Sequence, residues 1–134
     1  MSNATKLICG ILLITVPTIQ YGGTFLLSIL SNKDQKFTEF QRSMMRAGHA
    51  HAGVLVILAI IAQILIDQAR LPDTLGWTVR IGFVLAPLLV SGGFFGGAMG
   101  SDKPGSLIAL LWIGVVVLAA SVITLGVGLI AACT

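Results

Sequence analysis

The stretch LIALLWIGVVVLAASVITLGVGLIAAC, residues 107–133, decides the fold. It runs from Leu107 to Cys133 without one Asp, Glu, Lys, Arg or His. Crossing a hydrocarbon core takes about 20 apolar residues in a helix, and in lipid each backbone N–H and C=O must bond within its own segment. This run therefore reads as a membrane-spanning helix. Working outward from it, three more windows qualify. Leu7–Leu30 holds no acid or base between Lys6 and Lys33, Ala47–Ile66 is bounded by Arg46 and Asp67, and Ile81–Gly100 begins just after Arg80. The expected fold is all-α: an integral membrane four-helix bundle, antiparallel and up-down-up-down, forming one transmembrane domain over residues 1–134.

Composition agrees. The 134 residues are 56% hydrophobic and 10% charged, with a mean hydropathy of +1.00, whereas a soluble domain carries about 25% charged residues. A net charge of +3 does not make a nucleic-acid binder, which needs Lys and Arg gathered on one face. Here the basic residues sit in the connectors between apolar runs. The first run exceeds the roughly 7–15 apolar residues of a secretory signal and reads as a retained helix. No phosphate-cradling loop, HExxH or nucleophile elbow occurs. With two histidines and no acidic residue deep in a span, the chain has little equipment for autonomous acid–base catalysis or for a carboxylate proton relay.

The connectors are short. Ser31–Met45 sets Phe37, Phe40, Met44 and Met45 among Lys36, Glu39 and Arg42, the pattern of an interfacial amphipathic turn. Gln68–Val79 carries the turn residues Pro72, Asp73 and Gly76, and Ser101–Ser106 is a tight hairpin built on Lys103, Pro104 and Gly105. Four crossings place Lys6, Arg70 and Arg80 on the side of the termini, against Lys33, Lys36, Arg42, Arg46 and Lys103 opposite. Basic residues favour the cytoplasm, so both termini are expected outside it, with a bacterial inner membrane as the host.

The second span opens on Arg46-Ala-Gly-His-Ala-His-Ala-Gly53. Ionisable residues in a membrane helix are candidates for function. The alternative is interfacial hydrogen bonding, because His49 and His51 lie only about 3–7 Å below Arg46 along the helix. Residues two apart point to nearly opposite faces, so one metal ion or haem iron cannot take both imidazoles. A bis-histidine haem b would have to be shared across a symmetric interface or with a partner subunit.

The segment His49-Ala-His51-Ala-Gly-Val-Leu resembles the His-x-His helix of haem–copper oxidase subunit I. That resemblance implies axial haem ligation by His49 and His51 from opposite faces. It covers about a dozen residues. The family's other haem histidine and its copper ligands have no counterpart here, which excludes an oxidase on this chain alone. The whole chain is also similar to small, uncharacterised bacterial four-helix membrane proteins with an RAGHAHAG segment. This second resemblance implies a fold and no function.

The third span ends in Ser91-Gly-Gly-Phe-Phe-Gly-Gly-Ala-Met-Gly100, with Gly92, Gly96 and Gly100 on one stripe and Gly93 and Gly97 beside it. Small residues let membrane helices approach closely. A second reading is that they clear room for a flat ligand. By depth along upright helices, His51, Gly96, Gly97, Trp112 and Tyr21 or Thr24 fall near one level and are candidates to line a pocket. Gln20 and Gln63 are mid-helix amides expected to bond to neighbouring helices, and Pro17 and Pro87 are expected to kink theirs. Cys9 and Cys133 could form a disulfide if the first and last helices are neighbours. Otherwise they are separate thiols.

Three functions remain open. The first is an accessory or oligomer-forming subunit, as a homo-oligomer or in a larger membrane complex. The second is a haem- or metal-binding membrane protein that passes electrons. The third is a small channel or transporter gated by the titration of its histidines.

Overall fold

The computed structural model describes residues 1–31, 36–100 and 102–134. The chain is an all-α four-helix protein: α1 (Asn3–Ser31), α2 (Glu39–Ile66), α3 (Asp73–Gly97) and α4 (Ala109–Ala131), the last entered through a 3₁₀ turn at Ser106–Ile108. All four are long and apolar enough to cross a membrane.

Two helices begin well before the windows that hydropathy marks. At α2, Thr38 and Gln41 form a capping box: the Gln41 N–H donates to Thr38 Oγ1 at 3.2 Å, and the Thr38 N–H donates to Gln41 Oε1 at 3.0 Å. Two orphan donors are thereby satisfied, and the segment read as an interfacial turn is helical from Glu39 onward. Lys33, one of the basic residues counted for orientation, lies outside the described residues, as does Ser101 in the later hairpin. At α3, Pro72 precedes the helix and Asp73 sits in its first turn, where its charge complements the helix dipole. Arg80 therefore lies about two turns inside α3 and not in a connector. Hydropathy finds the part of a helix that lies in lipid, and caps find where the helix starts.

The bundle is open. Buried residues make up 56% of the apolar window of α3 and 33% of that of α2, against 11% each for α1 and α4. The α2–α3 pair is thus central, with α1 resting on α2 and α4 on α3, while α1 and α4 share no packed seam. The core is built from Leu12, Val56, Ala59, Phe83 and Leu125. The α3–α4 seam interlocks through missing side chains. A Cβ on Gly82 would strike the Ser121 hydroxyl, one on Gly93 the Leu111 backbone, and one on Gly114 the side chains and backbone around Leu89 and Val90. The hairpin closes when the Gly105 N–H donates to the Gly97 carbonyl at 3.0 Å. A Cβ on Gly100 would collide with the Lys103 carbonyl.

The order of helices decides the cysteines. Cys9 is buried against α2, where its thiol meets the Ile60 carbonyl at 3.8 Å. Cys133 is exposed at the end of α4, and both are free thiols. The disulfide considered from sequence needed α1 and α4 side by side, and they are not.

Candidate functional site

The two histidines of α2 take opposite sides, as their spacing requires. His49 is half-buried against α1. A Cβ on Gly23 would come within 2.9 Å of its Nε2, so Gly23 makes room for the ring. His51 is exposed. Its Nδ1 lies 2.8 Å from the Ala47 carbonyl, an acceptor that suits an Nδ1–H donor and turns Nε2 away from the helix backbone. The His51 ring lies 4.8 Å from that of Phe94, centroid to centroid. Among the described residues, no three His, Cys, Asp or Glu side chains converge as a metal site.

The pocket imagined around His51, Gly96, Gly97 and Trp112 is not assembled. Leu107 fills the space beside Gly96, and Met44 with Ile108 fills the space beside Gly97. Trp112 is exposed on the outer side of α4 and Tyr21 on that of α1. Gly93, Gly96, Gly97 and Gly100 are all occupied by close neighbours. Gly92 differs, with nothing within 4 Å of where its Cβ would stand.

A polar cluster that sequence reading missed fastens the start of α1 to α2 and α3. Arg80 is 7% exposed and pairs through Nη2 with Asp67 Oδ1. Its Nη1 donates to Thr5 Oγ1 at 2.8 Å and to Gln63 Oε1 at 3.0 Å. Gln63, fully buried, returns a hydrogen bond from Nε2 to the Arg80 carbonyl at 3.2 Å. Asp67 also accepts from the Ser2 N–H at 2.6 Å, the Ser2 hydroxyl at 2.9 Å and the Thr5 hydroxyl at 2.9 Å. Burial works against the Asp67 charge, but these hydrogen bonds and the guanidinium outweigh it and hold the carboxyl well below the usual carboxylate range. Each charged group is paired and hydrogen-bonded, the condition under which a buried ion pair is tolerated. An open hollow of about 320 Å³ adjoins the cluster, with Asp73 and Trp77 on its wall. The signals were present in the chain: Pro72-Asp73 as a helix start, and Gln63 and Asp67 one turn apart on α2.

The second feature missed is a cleft. Because α1, beyond its fastened start, packs on α2, α1 and α3 stand apart there with α2 as the floor between them. The space is about 480 Å³, lined by Ile11, Val56, Pro87, Leu88 and Phe95 among others. Ser91 and Gly92 also line it. Ser91 is 6% exposed, and its hydroxyl has no hydrogen-bond partner among the described residues.

The third is the outer face of α1. Gln20, Tyr21, Thr24 and Ser28 recur at helical spacing and are all exposed. The hydroxyls of Thr24 and Ser28 bond to carbonyls of their own helix, on Tyr21 and Phe25. Gln20, at the centre of the apolar run, makes no hydrogen bond among the described residues. The neighbouring helix expected to receive its amide is absent, whereas Gln63 has such neighbours.

No family model, curated protein or solved structure matches this chain.

Proposed function

We propose that the chain is an accessory, oligomer-forming membrane subunit whose α1 outer face packs against a second copy of itself. The observation that carries this reading is Gln20. A carboxamide at mid-span that faces outward has no water to bond, and Gln20 has no partner among the described residues of its own chain. An amide both donates and accepts, so two copies related by a twofold axis satisfy one another. Beyond its start, the helix that bears it packs on α2 and leaves this face uncovered. Native mass spectrometry in mild detergent is expected to give a dimer or higher oligomer, and a strict monomer at all protein concentrations would count decisively against the reading.

We further place both termini outside a bacterial inner membrane. Lys6, Arg70 and Arg80 lie on the side of the termini, against Lys33, Lys36, Arg42, Arg46 and Lys103 opposite. The rule rests on such an excess. Reporter tags at each terminus test it, and cytoplasmic signals from both would reverse the assignment.

A second reading, haem or metal ligation, draws support from His51. Its Nδ1 faces the Ala47 carbonyl at 2.8 Å, the kind of second hydrogen bond that orients ligating histidines and would direct Nε2 to a ligand. The second ligand would come from another copy or a partner. An absorption spectrum and metal content after haem-replete expression test this, and loss of any haem band in His51→Ala is the expected result.

A further inference from the structure

We propose that the α1–α3 cleft binds a neutral, membrane-soluble molecule of the quinone class, with a flat carbonyl-bearing head at Ser91 and an apolar tail along α1. The argument begins with hydrogen-bond accounting. Thr15 and Thr18, on the α1 wall, spend their hydroxyl hydrogens on the Leu12 and Thr15 carbonyls, each at 2.6 Å. Ser91 on the opposite wall does not turn back onto its helix, so among the described residues its hydrogen is the side-chain donor left to the cleft. A buried donor left unmade is costly, and the partner that suits it is an acceptor oxygen.

Depth narrows the class. Ser91 falls at the centre of the apolar run 81–100, whereas the ester oxygens of a phospholipid stay at the border of a hydrocarbon core about 30 Å thick. An acyl chain reaching this depth presents only methylenes. The acceptor therefore belongs to a molecule that lies wholly within the membrane. Shape narrows it again. Gly92 bares the helix surface next to Ser91, and Pro87 and Phe95 stand one turn to either side of it, which suits a flat ring. A space of about 480 Å³ is in the range of small-molecule sites, roughly 300–1,000 Å³, and is too narrow for a helix about 10 Å across. The site is independent of the dimer face: Gln20 lies two residues past Thr18, on nearly the opposite side of α1.

The test is equilibrium binding of a short-tailed prenylated benzoquinone to the full chain in nanodiscs of one fixed phospholipid. The same prenyl tail without oxygen serves as the comparison, and helical content and unfolding midpoint are checked for each variant. The quinone is expected to bind and the hydrocarbon to bind much more weakly. Ser91→Ala is expected to weaken quinone binding roughly twofold to tenfold, the worth of one hydrogen bond. Gly92→Leu is expected to abolish it, and because Gly92 has no close neighbour this variant keeps its fold if Ser91→Ala does not. Equal binding of quinone and hydrocarbon, or quinone binding unchanged in both variants, would overturn the proposal. So would full displacement by added phospholipid, which would make the cleft a lipid groove.

Discussion

Two glutamines in this chain occupy the same kind of position, the interior of an apolar helix, and meet opposite fates. Gln63 is sealed between α1, α2 and α3, with its carbonyl oxygen on Arg80 Nη1 and its amide on the Arg80 carbonyl. Gln20 stands on the outer side of α1 with no partner among the described residues of its own chain. The difference teaches how α1 is held: tightly at its start, by a network built on the Arg80–Asp67 pair, and by one neighbour along the rest of its length. A fastened end is a matter of folding. An unpartnered middle is a matter of assembly.

The largest effect should come from breaking the fastened end. Arg80→Met leaves Asp67 with only the more distant Met1 ammonium, 3.9 Å away, strips donors from Thr5 and Gln63, and should lower stability in detergent by about 3–5 kcal/mol. Adding Asp67→Asn to it should recover part of that loss, measured by unfolding midpoints.

The same network predicts a pH dependence. The folded Asp67 carboxyl is held below its ordinary value, so its contribution is complete above the unfolded carboxyl's pKa of about 4 and is lost as pH falls toward the folded value. Thermal midpoints should therefore drop on acidification below about pH 4, and Asp67→Asn should flatten that part of the curve.

Next comes the seam between α3 and α4, which has no polar network and relies on missing atoms. Gly93→Val drives a side chain into the Leu111 backbone and should cost about 1–3 kcal/mol. Gly92→Ala, one position away and facing open space, should cost little. Equal costs would show that the two stripes pack alike.

The smallest expected effect sharpens the other half of the comparison. Gln20→Leu should leave the unfolding midpoint of the monomer unchanged and weaken self-association by about 0.6–1.7 kcal/mol, the measured scale of side-chain hydrogen bonds between membrane helices. Sedimentation in density-matched detergent reads it.

Much of the fold could be read from the chain because lipid imposes a severe rule: charge-free runs such as Leu107–Cys133 have no alternative to a helix. What hydropathy could not supply was where helices begin, since Glu39–Arg46 and Asp73–Arg80 are helical outside the most apolar windows. That error placed Arg80 in a connector and hid the Asp67 pair, although Thr38 with Gln41 and Pro72 with Asp73 spelled out both starts. Other features depend on how each helix is rotated about its axis, which a weakly amphipathic membrane helix does not encode. Gly96 and Gly97 turn toward Leu107 and Met44 while Gly92 turns to the cleft, and nothing in their spacing separates them. Whether Cys9 could meet Cys133 turned on a related matter, and they are separate thiols because four antiparallel helices need not close into a ring.

The most direct test of the account is cysteine crosslinking in native membranes, in a Cys9→Ala, Cys133→Ala background. Gln20→Cys should form a disulfide-linked dimer under mild oxidation, and Thr18→Cys, on the cleft side of the same helix, should not. A Gln20→Cys protein that remains monomeric while Thr18→Cys crosslinks would contradict the assignment of the α1 outer face as the surface of assembly.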